Sequence, residues 1–80
     1  MNTKLRNRLN NMLGNQTLVC TSTEGTITMK GELTSGGMDF VVNVSIKKED
    51  GSVVEMGCMS TRKALESFGD SITHIVVKNF

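Results

Sequence analysis

The chain has 80 residues, 38% of them hydrophobic, and a formal net charge of +1 at pH 7. A domain of this size has only a small core, and so low a net charge produces no strong field toward nucleic acid or a membrane surface. No apolar run reaches the length of a membrane span. We therefore expect a cytoplasmic protein in which Cys20 and Cys58, each within an apolar strand pattern, are reduced core residues.

The first predicted element is an amphipathic helix over residues 3–13, with Thr3 as its N-cap and Gly14 as its C-cap. Its apolar residues recur at helical spacing and form one stripe: Leu5, Leu9, Met12 and Leu13. The other side of the helix is basic and rich in amides: Lys4, Arg6, Asn7, Arg8, Asn10 and Asn11. Two interpretations of this basic helix face remain open, a phosphate-binding surface and a merely solvated helix face.

Strands follow, because apolar and polar residues alternate with a period of two. They are predicted at about residues 16–22, 26–34, 38–48 and 52–59, joined by glycine-containing turns at residues 24–25, 35–37 and 49–51. On the fourth strand, Val54, Met56 and Cys58 are predicted to share one face. Residues 60–71 interrupt the alternation with a short helical turn, capped by Ser60 or Thr61, before a fifth strand at residues 72–77. The pattern predicts one domain over residues 1–80, mainly β, with an N-terminal α-helix and a strongly bent five-stranded antiparallel sheet.

This order of elements resembles the Sm-like family, which has an SH3-like open barrel. The resemblance depends on the loop glycine Gly25, on Gly31-Glu32-Leu33 in the second strand, and on Met38-Asp39 at the start of the third, where the family has Met-Asn. A lone SH3-like barrel or an OB-fold could be built from the same strands.

The resemblance implies a homo-oligomeric ring, in which the fourth strand of one subunit pairs with the fifth strand of the next. The expected subunit-interface residues on these two strands are Val53, Val54, Met56, Cys58, Ile72, His74 and Val76. The alternative is that the two strands close a monomeric barrel.

The resemblance also implies single-stranded RNA as a partner, bound in an atypical nucleotide pocket. Gly37 stands where the family has a stacking side chain, and Asp39 replaces an amide. The family's Ile-Arg-Gly turn is not found, so a cation would come from Arg62 or Lys63 in the segment before the last strand. The implied RNA-binding residues are Gly37, Met38, Asp39, Arg62, Lys63 and His74, although a single histidine in a short strand also has a purely structural interpretation.

We therefore expect an Sm-like ring with a role in RNA binding, RNA processing or RNA chaperoning. The alternative is a structural or protein-interaction ring that has lost RNA binding, and a third interpretation is a monomeric SH3-like module that binds a peptide. An enzyme is not expected, because the chain has one histidine, no metal-ligand spacing of its cysteines and no recognisable nucleophile motif. No cofactor, metal, small-molecule substrate or membrane partner is expected.

Overall fold

The computed structural model describes residues 2–12, 14, 16–33 and 40–79. Helix α1 (Thr3–Asn10) precedes four strands, β1 (Gln16–Ser22), β2 (Gly25–Leu33), β3 (Phe40–Lys47) and β4 (Val53–Ser60). Helix α2 (Thr61–Phe68), a 3-10 turn (Gly69–Ser71) and strand β5 (Ile72–Asn79) complete the order. The prediction of a mainly β chain with an N-terminal helix and five antiparallel strands is confirmed.

The five strands form one sheet with the order β4-β3-β2-β1-β5, and all neighbouring strands are antiparallel. Among the described residues the sheet is not closed, so β4 and β5 each have one edge without a strand partner. Gly25 begins β2 with a φ of +130°, and a Cβ at this position would collide with the main-chain carbonyl of Lys47. A glycine is therefore required where β2 runs beside the end of β3.

The core lies on one face of the sheet. Its strand residues alternate along the chain as predicted: Leu18, Cys20, Ile27, Met29, Val42, Val44 and Ile46. The apolar sides of the two helices add Leu5, Leu9, Ala64 and Phe68 to the same cluster. Because both helices bury their apolar sides in this cluster, the polar side of α1 is left to form the rim of surface grooves.

The ends of the helices differ from the sequence prediction. Helix α1 ends at Asn10 rather than at residue 13, its N-cap is Asn2 rather than Thr3, and its C-cap is Asn11 rather than Gly14. The predicted stripe residue Leu13 lies outside the described residues. At α2, the N-cap is Ser60, whose Oγ accepts a hydrogen bond from the main-chain N–H of Lys63 at 3.1 Å.

A β-bulge in β4 overturns the predicted face of that strand. Met56 is the extra residue, because Ser45 pairs with Glu55 while Val44 pairs with Gly57, which has a φ of +80°. Beyond the bulge, Cys58 pairs with Asn43 and lies on the face opposite the core, whereas Val54 lies on the core face. The prediction that Cys58 is a core residue is therefore wrong, since its side chain is exposed. Cys20 is buried as predicted, and both thiols are free.

Candidate nucleic-acid interface

A groove of about 480 Å³ lies between α1 and the first half of β5, and we call it the α1–β5 groove. The polar side of α1 forms one wall, and residues 72–75 of β5 form the other. The polar residues that line it are Lys4, Asn7, Arg8, Asn11, Thr73 and His74, with Asn2 at the start of the helix. The groove thus combines part of the predicted basic helix face with the segment of β5 that contains His74.

Asn2 fixes the position of α1 relative to β5. Its side-chain oxygen accepts a hydrogen bond from the main-chain N–H of Leu5 at 3.0 Å, which caps the helix. Its side-chain nitrogen donates to the main-chain oxygens of Gly69 and Ile72, each at 3.0 Å. One partly buried amide therefore joins the first turn of α1 to the connection that leads into β5.

The electrostatic character of the α1–β5 groove is positive. Lys4 and Arg8 lie one helical turn apart on the α1 wall of the groove, and both are exposed. Neither α1 nor residues 72–75 include an acidic side chain. Ammonium and guanidinium groups attract phosphate, and asparagine side chains can both donate to and accept from the edge of a base. This combination suits a nucleic-acid strand better than a neutral ligand.

A second, smaller groove of about 190 Å³ lies on the other flank of α1, and we call it the α1–α2 groove. It is lined by Arg6, Leu9 and Asn10 of α1 and by Thr61, Arg62 and Leu65 of α2. The Nε of Arg62 lies 3.3 Å from a carboxylate oxygen of Glu66, one helical turn away, and both side chains are largely exposed. The cation expected from residues 60–71 therefore lies beside this second groove, not beside His74.

The predicted site residues are divided among several places. The α1–β5 groove contains His74 with Lys4, Asn7, Arg8 and Asn11, whereas Arg6 and Asn10 face Arg62. Lys63 is exposed and lines neither groove. Gly37, Met38 and Asp39 lie outside the described residues. Sequence reasoning missed Asn2 and Thr73. The preference of asparagine for the N-cap position was the signal available for Asn2.

The predicted subunit-interface residues are mostly exposed on the two edge strands. Apolar side chains that are 37–55% exposed lie on β4 and β5, namely Val53, Val54, Met56 and Val76. Cys58 and His74 are exposed as well. Ile72 is the exception, because its side chain is only 6% exposed and belongs to the core cluster. A contact between Ile72 and a neighbouring subunit would therefore be made through its main chain, and its place in the interface stays a prediction.

The exposed thiol of Cys58 has a specific neighbour. Its Sγ donates a hydrogen bond to a carboxylate oxygen of Glu32 at 3.4 Å. This hydrogen bond, together with the negative charge of Glu32, raises the pKa of the Cys58 thiol. Burial raises the pKa of Cys20 to about 11. Both thiols therefore favour the protonated form at neutral pH, in which they are poor nucleophiles.

Neither a metal site nor a membrane-spanning helix is present in the described part of the chain. Its residues form no cluster of three or more histidine, cysteine, aspartate or glutamate side chains that could hold a metal ion. Within the same residues, no helix is long and apolar enough to cross a membrane. No protein-family model, curated protein or solved structure gives a significant match to the chain. The grooves and the sheet edges are therefore the features from which a function can be inferred.

Proposed function

We propose that this chain is an Sm-like protein that assembles into a homo-oligomeric ring and binds single-stranded RNA in the α1–β5 groove. The observation that carries the proposal is the presence of Lys4 and Arg8, with the amides of Asn7 and Asn11, in one groove that residues 72–75 of β5 complete beside an unpaired sheet edge.

Assembly is supported by the chemistry of the two edge strands. In the described sheet, β4 and β5 each have an unpaired edge, and each carries exposed apolar side chains. Unpaired main-chain groups next to exposed valine and methionine make such edges prone to pair with another strand. Pairing β4 of one copy with β5 of the next would satisfy both edges and would repeat around a ring. It would also add buried area to a chain whose own core is small.

RNA binding is supported by the groove and by its repetition. Each copy would contribute one α1–β5 groove with two cations, so a ring would present several such grooves to one strand. Weak contacts that are linked in this way give a much higher combined affinity than any single contact. The chain has three phenylalanines and no tyrosine or tryptophan, which favours recognition through phosphate contacts and hydrogen bonds over base stacking.

The assembly is tested by mass measurement and by disulfide trapping. Cys58 lies on the outer face of the sheet, as do His74, Val76 and Lys78, which pair with Thr21, Val19 and Thr17 of β1. Facing residues on adjacent antiparallel strands have Cα atoms about 4.5–5.5 Å apart, which is within disulfide range. If β4 pairs with β5 of the next copy, we expect one of the variants His74→Cys, Val76→Cys or Lys78→Cys to form a ladder of cross-linked species under oxidation.

The first controls for this trapping experiment are Ile75→Cys and Val77→Cys, whose side chains lie on the core face. The second controls are the three outer-face cysteine variants combined with Cys58→Ser. None of the controls should form the ladder. A mass of 8.7 kDa in sedimentation at micromolar concentration, combined with no cross-linking at any outer-face position, would refute the ring.

RNA binding is tested by fluorescence anisotropy with uridine-rich, adenine-rich and mixed oligonucleotides at low salt. The double variant Lys4→Ala/Arg8→Ala removes both groove cations and should weaken binding at least tenfold, given typical charge-assisted contacts of about 1 kcal/mol each. The matched control Lys30→Ala/Lys48→Ala removes two exposed lysines that line neither groove and should bind like the wild type. If both double variants lowered the RNA affinity equally, binding would depend only on the overall charge of the protein and not on the α1–β5 groove.

The second candidate function is a structural ring without RNA affinity. The exposed apolar residues of β4 favour it, because they explain assembly without any contribution from the basic helix face. It predicts a stable oligomer that binds none of the oligonucleotides at tens of micromolar. That outcome would retain the assembly and reject RNA binding.

A further inference from the structure

We propose that an RNA strand held in the α1–β5 groove crosses the outer surface of α1 and places a second phosphate in the α1–α2 groove, where Arg6 and Arg62 bind it. The inference rests on the proposed function and adds a second subsite, with a contribution from α2.

The positions of the residues around α1 place the two grooves on opposite flanks of one helix. Successive residues of an α-helix are separated by about 100°, so Lys4 and Arg8 lie on one side of the buried Leu5–Leu9 stripe and Arg6 lies on the other side. The side of the helix directed away from the core is occupied by Asn7, Asn10 and Asn11, since the core stripe lies opposite. These residues are exposed and uncharged. A strand that crosses α1 therefore meets amides between two pairs of cations, with no carboxylate of α1 to repel it.

The α1–α2 groove also has the chemistry that a nucleotide needs. Arg62 presents a guanidinium group with five N–H donors, and its contact with Glu66 is made through Nε at 3.3 Å. An exposed pair of this kind is screened by water and weak, so it leaves most of the guanidinium charge and its remaining donors available. Leu9 and Leu65 line the groove between the two arginines. Apolar contact for a sugar or base is thus placed beside donors for a phosphate.

Two adjacent residues of α2 provide a matched test. Arg62 and Lys63 are both exposed cations in the first turn of α2, but Arg62 lines the groove and Lys63 does not. The variants Arg62→Ala and Lys63→Ala therefore remove the same charge from almost the same place. Because the Arg62 side chain is 88% exposed, the substitution should leave the fold intact, and this can be checked by circular dichroism.

Binding is measured with a short uridine oligonucleotide of about 4 nucleotides and a long one of about 12 nucleotides. We expect Arg62→Ala to lower the affinity for the long oligonucleotide about fivefold. The affinity for the short one should not change, because the short strand is held by the α1–β5 groove alone. The slope of log affinity against log salt should fall by about 0.7 for each phosphate contact that the long strand loses. Lys63→Ala should change neither affinity nor slope.

Equal affinities of Arg62→Ala and Lys63→Ala for the long strand would overturn the second subsite. The proposed function would survive that result if the wild type still binds RNA and Lys4→Ala/Arg8→Ala still weakens it. If Arg62→Ala lowered the affinities for the short and long strands equally, the inference would also be overturned, because Arg62 would then act on the α1–β5 groove. The absence of any RNA binding by the wild type would reject the proposed function and the second subsite together.

Discussion

Asn2 is the residue whose substitution tests most directly how α1 is held against the rest of the chain. Its side chain makes three hydrogen bonds of 3.0 Å, one to its own helix, one to Gly69 in the 3-10 turn and one to Ile72 at the start of β5. Asn2→Ala removes all three. Asn2→Ser retains an N-cap acceptor but is too short to reach the main-chain oxygens of Gly69 and Ile72. The two variants therefore separate the cap from the tertiary link.

The magnitude follows from the number and exposure of these bonds. Loss of an N-cap costs about 1 kcal/mol, and each lost hydrogen bond costs about 0.5–1.5 kcal/mol. Asn2 is only partly buried, so water replaces part of what is lost. We expect the free energy of unfolding to fall by about 2 kcal/mol in Asn2→Ala and by about 1 kcal/mol in Asn2→Ser. The larger loss is substantial, because a domain of 80 residues is stable by only about 4–12 kcal/mol.

Urea denaturation followed by circular dichroism gives these differences, at one fixed protein concentration because association raises apparent stability. The control is Asn11→Ala, which removes an exposed bond of 2.8 Å from the Asn11 side chain to the main-chain oxygen of Asn7 in the same helix. It should cost about 0.5 kcal/mol or less. If Asn2→Ser were as stable as the wild type, the two bonds to the connection would contribute nothing and the anchoring role would be wrong.

Three further predictions test the sheet and α2. Gly25→Ala should lower the free energy of unfolding, measured by urea titration, by more than about 2 kcal/mol, because φ is +130° and the new Cβ would collide with the Lys47 carbonyl. The control is Gly51→Ala, where φ is +90° but the space is open, and its cost should be only about 1 kcal/mol. Phe68→Ala should lower the free energy of unfolding by about 3 kcal/mol, because this side chain of α2 is buried in the core and only 7% exposed. A loss below about 1 kcal/mol would mean that α2 is not part of the core. At pH 8, iodoacetamide should modify Cys58 in the folded protein and Cys20 only after unfolding. Glu32→Gln should accelerate the reaction of Cys58, because replacing the carboxylate by a neutral amide removes the negative charge that disfavours the thiolate and so lowers the thiol pKa. An unchanged rate would contradict this assignment.

The strands could be predicted because their apolar residues alternate without interruption. Ile27 and Met29, like Val42, Val44 and Ile46, are buried where a period of two places them. The turn before β4 was equally clear, since Asp50-Gly51 supplies a residue that tolerates positive φ where the chain reverses. The alternation of apolar and polar residues was therefore sufficient to predict the buried face wherever a strand had regular geometry.

The same reasoning failed where the chain departs from that geometry. In β4, the bulge at Met56 moves every later residue to the other face, so the alternation of Val54, Met56 and Cys58 predicted a shared face that does not exist. Gly57 was the only local signal, and a glycine inside a strand pattern does not by itself specify a bulge. In α1, Asn2 and Thr3 are both good caps, and the choice between them depends on Gly69 and Ile72, which are distant in sequence.

The grooves could not be derived from the sequence for the same reason, since each is formed by elements that are far apart along the chain. Asn2 links α1 to Gly69, the first residue of the 3-10 turn after α2, and to Ile72, at the start of β5. Because α2 carries Arg62 and β5 carries His74, one amide sets the position of α1 relative to both walls that face it. A loss of that link should therefore weaken the proposed RNA binding in both grooves without removing any charge. That result would distinguish Asn2→Ser from Arg62→Ala, which we expect to weaken the binding of long strands alone.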